Sequence, residues 1–222
     1  MVLNFANFAN VVRTVALIIA FGLSVSAVWA KDERSIKELR DALVALAPDV
    51  DPGEAELVSV TAHTASRSLA REYHVTFGPI VQNILINTGK RQRGFCGHYA
   101  RDIGERLKEL QLKTLLLHWG AAYLGTVDES NCIVVTARNQ PFEDGIVIDG
   151  WRNGGRLFWC VLKKDSEYDL GYLAELRAQN PFLQHPPTAP QHGSAWKEDA
   201  LYTLWLQDYK HVHKWQWQPA VR

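Results

Sequence analysis

The sequence predicts an α+β fold, with helices first and an antiparallel sheet after them. Three observations carry this. Apolar residues recur at helical spacing in the segments up to about residue 112. From residue 114 to 162 the pattern changes to short runs rich in β-branched, leucine and aromatic residues, with Gly, Pro, Asn or Asp between them. Hydrophobic residues make up 47% of 222 positions and charged residues 22%, proportions that give a sizeable core and argue against disorder.

Residues 1–30 stand apart. Arg13 is their only charged residue, Val15 to Leu23 form an apolar run, and Val28-Trp29-Ala30 ends just before Lys31-Asp32-Glu33-Arg34. This is the layout of a secretory signal. The apolar run is short for a membrane span, which needs about 20 residues. The expectation is a signal peptide over 1–30 and a single domain over 31–222, exported to the periplasm or secreted. If the segment is not cleaved, it is the chain's membrane anchor.

Ser35 to Leu46 reads as a helix on the spacing of Ile36, Leu39, Leu43 and Leu46. Pro48 and Asp51-Pro52-Gly53 break it, and Glu54 to Tyr73 forms a second helix. Phe77-Gly78-Pro79 marks a turn, and Ile80 to Asn87 a short helix that leads into the basic loop Lys90-Arg91-Gln92-Arg93-Gly94. Gly97 to Leu112 is amphipathic, with Ile103, Leu107 and Leu110 on one face. Four strands follow, over Thr114–Tyr123, Asn131–Ala137, Gly145–Asp149 and Arg156–Leu162. Asn139 to Gly145 and Asn153-Gly154-Gly155 are hairpin loops. Leu170 to Arg177 is a further helix, and Asn180 to Gly193 holds four of the nine prolines and is a loop. Trp196 to Trp217, with four of the eight tryptophans, is an amphipathic helix lying on the core.

Basic and acidic residues number 24 each. Loss of 1–30 removes Arg13 and no acid, leaving a net charge of about −1. That total gives no electrostatic case for nucleic acid or for an anionic membrane surface. Three cysteines, Cys96, Cys132 and Cys160, leave at least one thiol unpaired within the chain, and any pairing stays open.

The informative stretch is Arg93-Gly94-Phe95-Cys96-Gly97-His98-Tyr99-Ala100, where a cysteine sits as a loop enters a helix. Backbone N–H groups at a helix N-terminus favour a thiolate and can bind an oxyanion. The alternative is an inert buried thiol. A nucleophilic cysteine also needs a base in hydrogen-bond reach and a group that orients the base.

The order of a Cys-headed helix, antiparallel strands and Ile148-Asp149-Gly150-Trp151-Arg152 resembles the transglutaminase-like branch of the papain-like superfamily. The resemblance spans about residues 90–162. More narrowly, Gly94-Phe-Cys-Gly-His-Tyr-Ala100, Leu117-His-Trp-Gly120 and Asn131-Cys-Ile-Val-Val-Thr-Ala137 look like an uncharacterised exported bacterial group. The resemblance implies a papain-like core with added N- and C-terminal helices. It implies Cys96 as nucleophile of an amide hydrolase, peptidase or acyl-transferase, with Asp149 as the orienting carboxylate. The base should stand at 130 or 131, where this chain has Ser130 and Asn131, and neither accepts a proton usefully at neutral pH.

Two histidines are candidates for the missing role. His118 lies in the neighbouring strand, and His98 follows Cys96 by two residues. Gln92 and Gly97 are candidates for an oxyanion site. The rival expectation is a catalytically inactive binding module that keeps the fold. The partner in either case is a protein, peptide or peptidoglycan-type amide, with no nucleic acid and no cofactor. His211-Val212-His213 has alternate spacing but no third ligand, so no metal site is expected. Trp215 and Trp217 read as core.

Overall fold

The computed structural model describes residues 31–123, 129–168 and 194–207. It is α+β, as the sequence predicts. Five helices are described: α1 over residues 31–44, α2 Pro52–Glu72, α3 Pro79–Asn87, α4 Cys96–Lys108 and α5 Ala200–Gln207. The strands are β1 Leu115–Ala122, β2 Ser130–Ala137, β3 Ile146–Asp149, β4 Phe158–Val161 and β5 Trp196–Glu198. They form one antiparallel sheet in the order β4-β3-β2-β1-β5. Among the described residues no helix is long and apolar enough to cross a membrane.

Helix α2 starts where it does because Asp51 caps it. Its carboxylate accepts from Gly53 N at 2.6 Å and Glu54 N at 3.2 Å, with Pro52 in the first turn. Glu54 then reaches across to the start of β1, accepting from the Lys113 and Thr114 backbone N–H groups at 2.6 and 2.8 Å. Helix α1 docks through Leu39 and Leu43, both fully buried, and through Ser35 Oγ, which meets His63 Nε2 and Trp159 Nε1.

The strand register assigns side chains to two faces, because successive residues of a strand point opposite ways. Leu115, Leu117, Trp119 and Ala121 of β1 face the helices, together with Ile133 and Val135 of β2 and Ile146 and Ile148 of β3. The other face carries Ala122, Cys132, Val134 and Val147, covered by Phe142, Leu162 and Trp196. All eight residues of β2 are buried, so both faces are packed.

One element differs from the sequence reading. Trp196–Glu198 is a strand at the sheet edge, pairing with Gly120–Ala122, and the helix begins only at Ala200. Three residues are too short a run to show a period of two. The helix expected at Leu170–Arg177, the loop Asn180–Gly193, Trp215, Trp217, the His211/His213 pair and the signal segment 1–30 lie outside the described residues.

The β3–β4 turn is seated on α2 at Gly155, which has φ +95° and no room for a side chain, because a Cβ there would overlap Ala70. Gly89 has φ +73° with open space around it. Gly155→Ala is expected to cost about 3 kcal/mol, combining overpacking with backbone strain, and Gly89→Ala about 1 kcal/mol from strain alone. Urea unfolding of the two variants checks this, and equal losses would contradict the seating of the turn.

Candidate functional site

Cys96 is the first residue of α4, with Phe95 as the N-cap in extended conformation. Its side chain is turned into the protein and is only 8% exposed. The sulfur meets the first residues of β2. The thiol points to Glu129 O at 3.7 Å, and Asn131 Nδ2 points to Sγ at 3.8 Å. The orientation of the Asn131 amide is set by its other neighbour. Trp119 Nε1 can only donate, and it does so to Asn131 Oδ1 at 2.8 Å. The NH2 group must then face the sulfur and Glu129 Oε1, the latter at 3.0 Å.

Burial pushes the Cys96 thiol up to about 11. The side-chain and backbone N–H groups of Asn131 act against this, as does the Gly97 backbone N–H, while the Asp149 charge adds to it. The helix N-terminus therefore does contribute in the expected direction, but loss of water outweighs it.

Asp149 ends β3 on the face opposite the helices. It is fully buried and committed to the turn that follows: Oδ1 accepts from Trp151 N at 2.7 Å and Arg152 N at 3.1 Å, and Arg152 Nε lies 3.3 Å from Oδ2. Burial raises its pKa despite these donors. Arg152 also makes a two-pronged pair with Asp165, 2.9 Å at each prong, and its guanidinium lies over the Phe158 ring. Gly150, one residue on, faces the helix layer against Tyr99, Ile103 and Ser66.

Ser130 and Asn131 divide the expected base position between them. Asn131 faces the helices and touches Cys96. Ser130 points the other way, to the face of Asp149 and the Tyr168 phenol. Its buried hydroxyl has no hydrogen-bond partner of good geometry.

The histidine candidates fall elsewhere. His118 pairs with Val134 and so lies on the face opposite Cys96. Its ring bridges Glu198 Oε1 at 2.7 Å and Thr136 Oγ1 at 2.9 Å. The structure therefore does not bring His118 and Cys96 together. Thr136, His118 and Glu198 have the order of a hydroxyl–imidazole–carboxylate relay, but Thr136 is 0% exposed, so no substrate reaches that hydroxyl. The three tie edge strand β5 to β1 and β2. His98 turns back over the start of α4, where its Nδ1 accepts from the Gly94 and Phe95 backbone N–H groups, both at 3.2 Å, and its ring stacks on Phe95. It caps the helix and, like the other described histidines, makes no hydrogen bond to Sγ. Gln92 is exposed on the basic loop, whereas Gly97 does point its N–H toward the sulfur.

No protein-family model matches the chain, and no curated protein and no solved structure matches it either.

The sequence reading missed a second polar cluster beside α4. Asp102 accepts from Tyr73 OH and Arg93 Nη2, each at 2.5 Å, and from Arg101 Nε at 2.8 Å. Burial would raise its pKa, but the Tyr73 bond and Arg101 overcome that and hold it low. The available signal was an acidic residue directly after Arg101 and nine after Arg93. That is too common a pattern to single out. Among the described residues no cluster of His, Cys, Asp and Glu could hold a metal ion.

Burial brings the His98 pKa down to about 4, with the positive charges of Arg93 and Arg101 acting the same way. Protonation would also set an N–H against the two backbone N–H groups it now accepts from. A folded-state pKa below the unfolded 6.5 contributes stability above pH 6.5 that is lost as pH falls toward 4. His98→Gln keeps an acceptor for the cap and does not titrate. It is expected to flatten the fall in urea stability between pH 6.5 and 4, and an unchanged slope would contradict the assignment.

Proposed function

We propose that this chain is a non-catalytic binding domain of transglutaminase-like, papain-like type. One observation carries the reading: the group beside the Cys96 sulfur is the amide of Asn131, not an imidazole. An amide does not take up a thiol proton at neutral pH. With a pKa near 11, about one Cys96 in ten thousand is ionised at pH 7. The Cys-headed helix on an antiparallel sheet and the strand-terminal Asp149 support the likeness in architecture. The contact of Asn131 with the Cys96 sulfur supports position 131 as the place where an imidazole would stand in a catalytic domain of this type. The ligand class is a protein, peptide or peptidoglycan-type amide, and residues 1–30 take the domain to the periplasm or outside. No cofactor enters the reading.

A second reading, a thiol amide hydrolase or acyl-transferase through Cys96, has one observation in its favour. The Gly97 N–H at the start of α4 points at the sulfur, the arrangement that supports a thiolate and an oxyanion. It needs a base that none of the four described histidines supplies.

Iodoacetamide is expected to modify Cys96 of the folded full chain at pH 7 more slowly than it modifies free cysteine, with the label located by mass spectrometry. Modification far faster than free cysteine would favour the enzyme. Asn131→His is expected to raise the rate about tenfold or more by placing an imidazole where the Asn131 amide now meets the thiol. No change in that variant would remove the support for position 131 as the base site. Cys96→Ser is expected to bind isolated cell-wall sacculi as the natural chain does, and loss of binding with release of soluble fragments by the natural chain would overturn the non-catalytic reading.

A further inference from the structure

Helix α3 is amphipathic in the reverse sense. Of its nine residues only Gln82 is buried. Gln82 Nε2 donates to Tyr73 O at 3.0 Å and Arg93 O at 2.8 Å, and the neighbouring Asn83 Oδ1 accepts from Trp151 Nε1 at 3.2 Å. The polar side chains thus hold the helix to the protein, while Ile80 and Ile84 stand in solvent and Val81, Leu85 and Ile86 are half-buried. Phe77 just before the helix is 80% exposed, Ile80 is 72% exposed and Ile84 is 56% exposed. A helix of a water-soluble domain normally turns its apolar stripe inward.

The charge around this stripe is as one-sided as the stripe itself. The chain is balanced overall, yet residues 73–101 contain no Asp or Glu and carry Lys90, Arg91, Arg93 and Arg101. Arg93 and Arg101 are taken up by Asp102. Lys90 and Arg91, directly after α3, make no ion pair with a carboxylate among the described residues. Exposed isoleucine and phenylalanine beside unpaired basic residues are the two components of interfacial membrane binding: apolar side chains enter the acyl boundary, and cations meet lipid phosphates. A second copy is a poorer occupant, since a two-fold contact uses the same patch on both copies and residues 73–101 contain no Asp or Glu to meet Lys90 and Arg91.

We propose that Phe77, Ile80 and Ile84 of the α3 face, with Lys90 and Arg91, form a docking surface for an anionic lipid bilayer. This goes beyond the binding-domain reading and does not rest on what Cys96 does. It also revises what the net charge alone suggests, because the balanced total conceals a local excess of positive charge beside an apolar face.

The test is co-sedimentation of the full chain with two vesicle types, pure phosphatidylcholine and phosphatidylcholine with about one-third phosphatidylglycerol. Residues 1–30 are common to every variant, so differences between variants report on the α3 surface. The natural chain is expected to prefer the anionic vesicles. Ile80→Ser with Ile84→Ser is expected to weaken that partition at least about tenfold. Lys90→Gln with Arg91→Gln is expected to weaken it about fivefold per residue on anionic vesicles and to leave neutral vesicles unchanged. Ile80, Ile84 and Lys90 are exposed and Arg91 is half-buried, and an unaltered melting temperature confirms folding of each variant. Variants that partition like the natural chain would overturn the proposal, as would equal binding of the natural chain to both vesicle types. A dimer in analytical ultracentrifugation that Ile80→Ser with Ile84→Ser dissolves would overturn it in favour of a second copy.

Discussion

The two-sided burial of β2 is the constraint from which the rest of the structure follows. With β3 and β1 on its flanks and packed layers above and below, each of its eight residues has a fixed face and no exposed alternative. A one-residue change of register would exchange the two faces and put Ser130, Cys132 and Thr136 into the helix layer. Alternation along this strand therefore decides which polar residue meets Cys96 and which shares the face of Asp149. It gives them different ones, Asn131 and Ser130.

The polar groups on each side are then bonded within the fold. On the helix side, the Trp119 indole fixes the Asn131 amide, and the amide fixes the thiol. On the other side, Asp149 accepts two backbone N–H groups of its own turn and shares Arg152 with Asp165. Arg152, nearly buried between two carboxylates and over the Phe158 ring, is a charge that the fold cannot leave alone, since breaking a buried pair typically costs about 3–5 kcal/mol.

Much of the architecture is legible in the sequence, because it is written in periodicity. Leu39 and Leu43 at helical spacing, Asp51-Pro52-Gly53 ahead of α2, and the runs Leu115–Ala122 and Ser130–Ala137 each declare their own element locally. The start of α4 at Cys96 was also readable from the glycines around it. The site was legible only as a set of residues, not as an arrangement. That His118 and Cys96 lie on opposite faces depends on the β1–β2 register, which pairs residues far from Cys96 in sequence. That burial outweighs the helix terminus at Cys96 depends on what packs over it. The inward face of α3 was hidden for a similar reason: Gln82 gains its partners from Tyr73 and Arg93, and nothing in Ile80–Asn87 alone says which side turns in.

The most direct measurement is the titration of the Cys96 thiol, followed by the carbon shift of labelled cysteine Cβ in the folded chain, with the Cys96→Ser variant assigning the signal. A buried thiol held by Asn131 predicts no ionisation of Cys96 at neutral pH and a midpoint near 11. A midpoint below about 7 would mean a stabilised thiolate, and would contradict the account that this sulfur is held rather than activated.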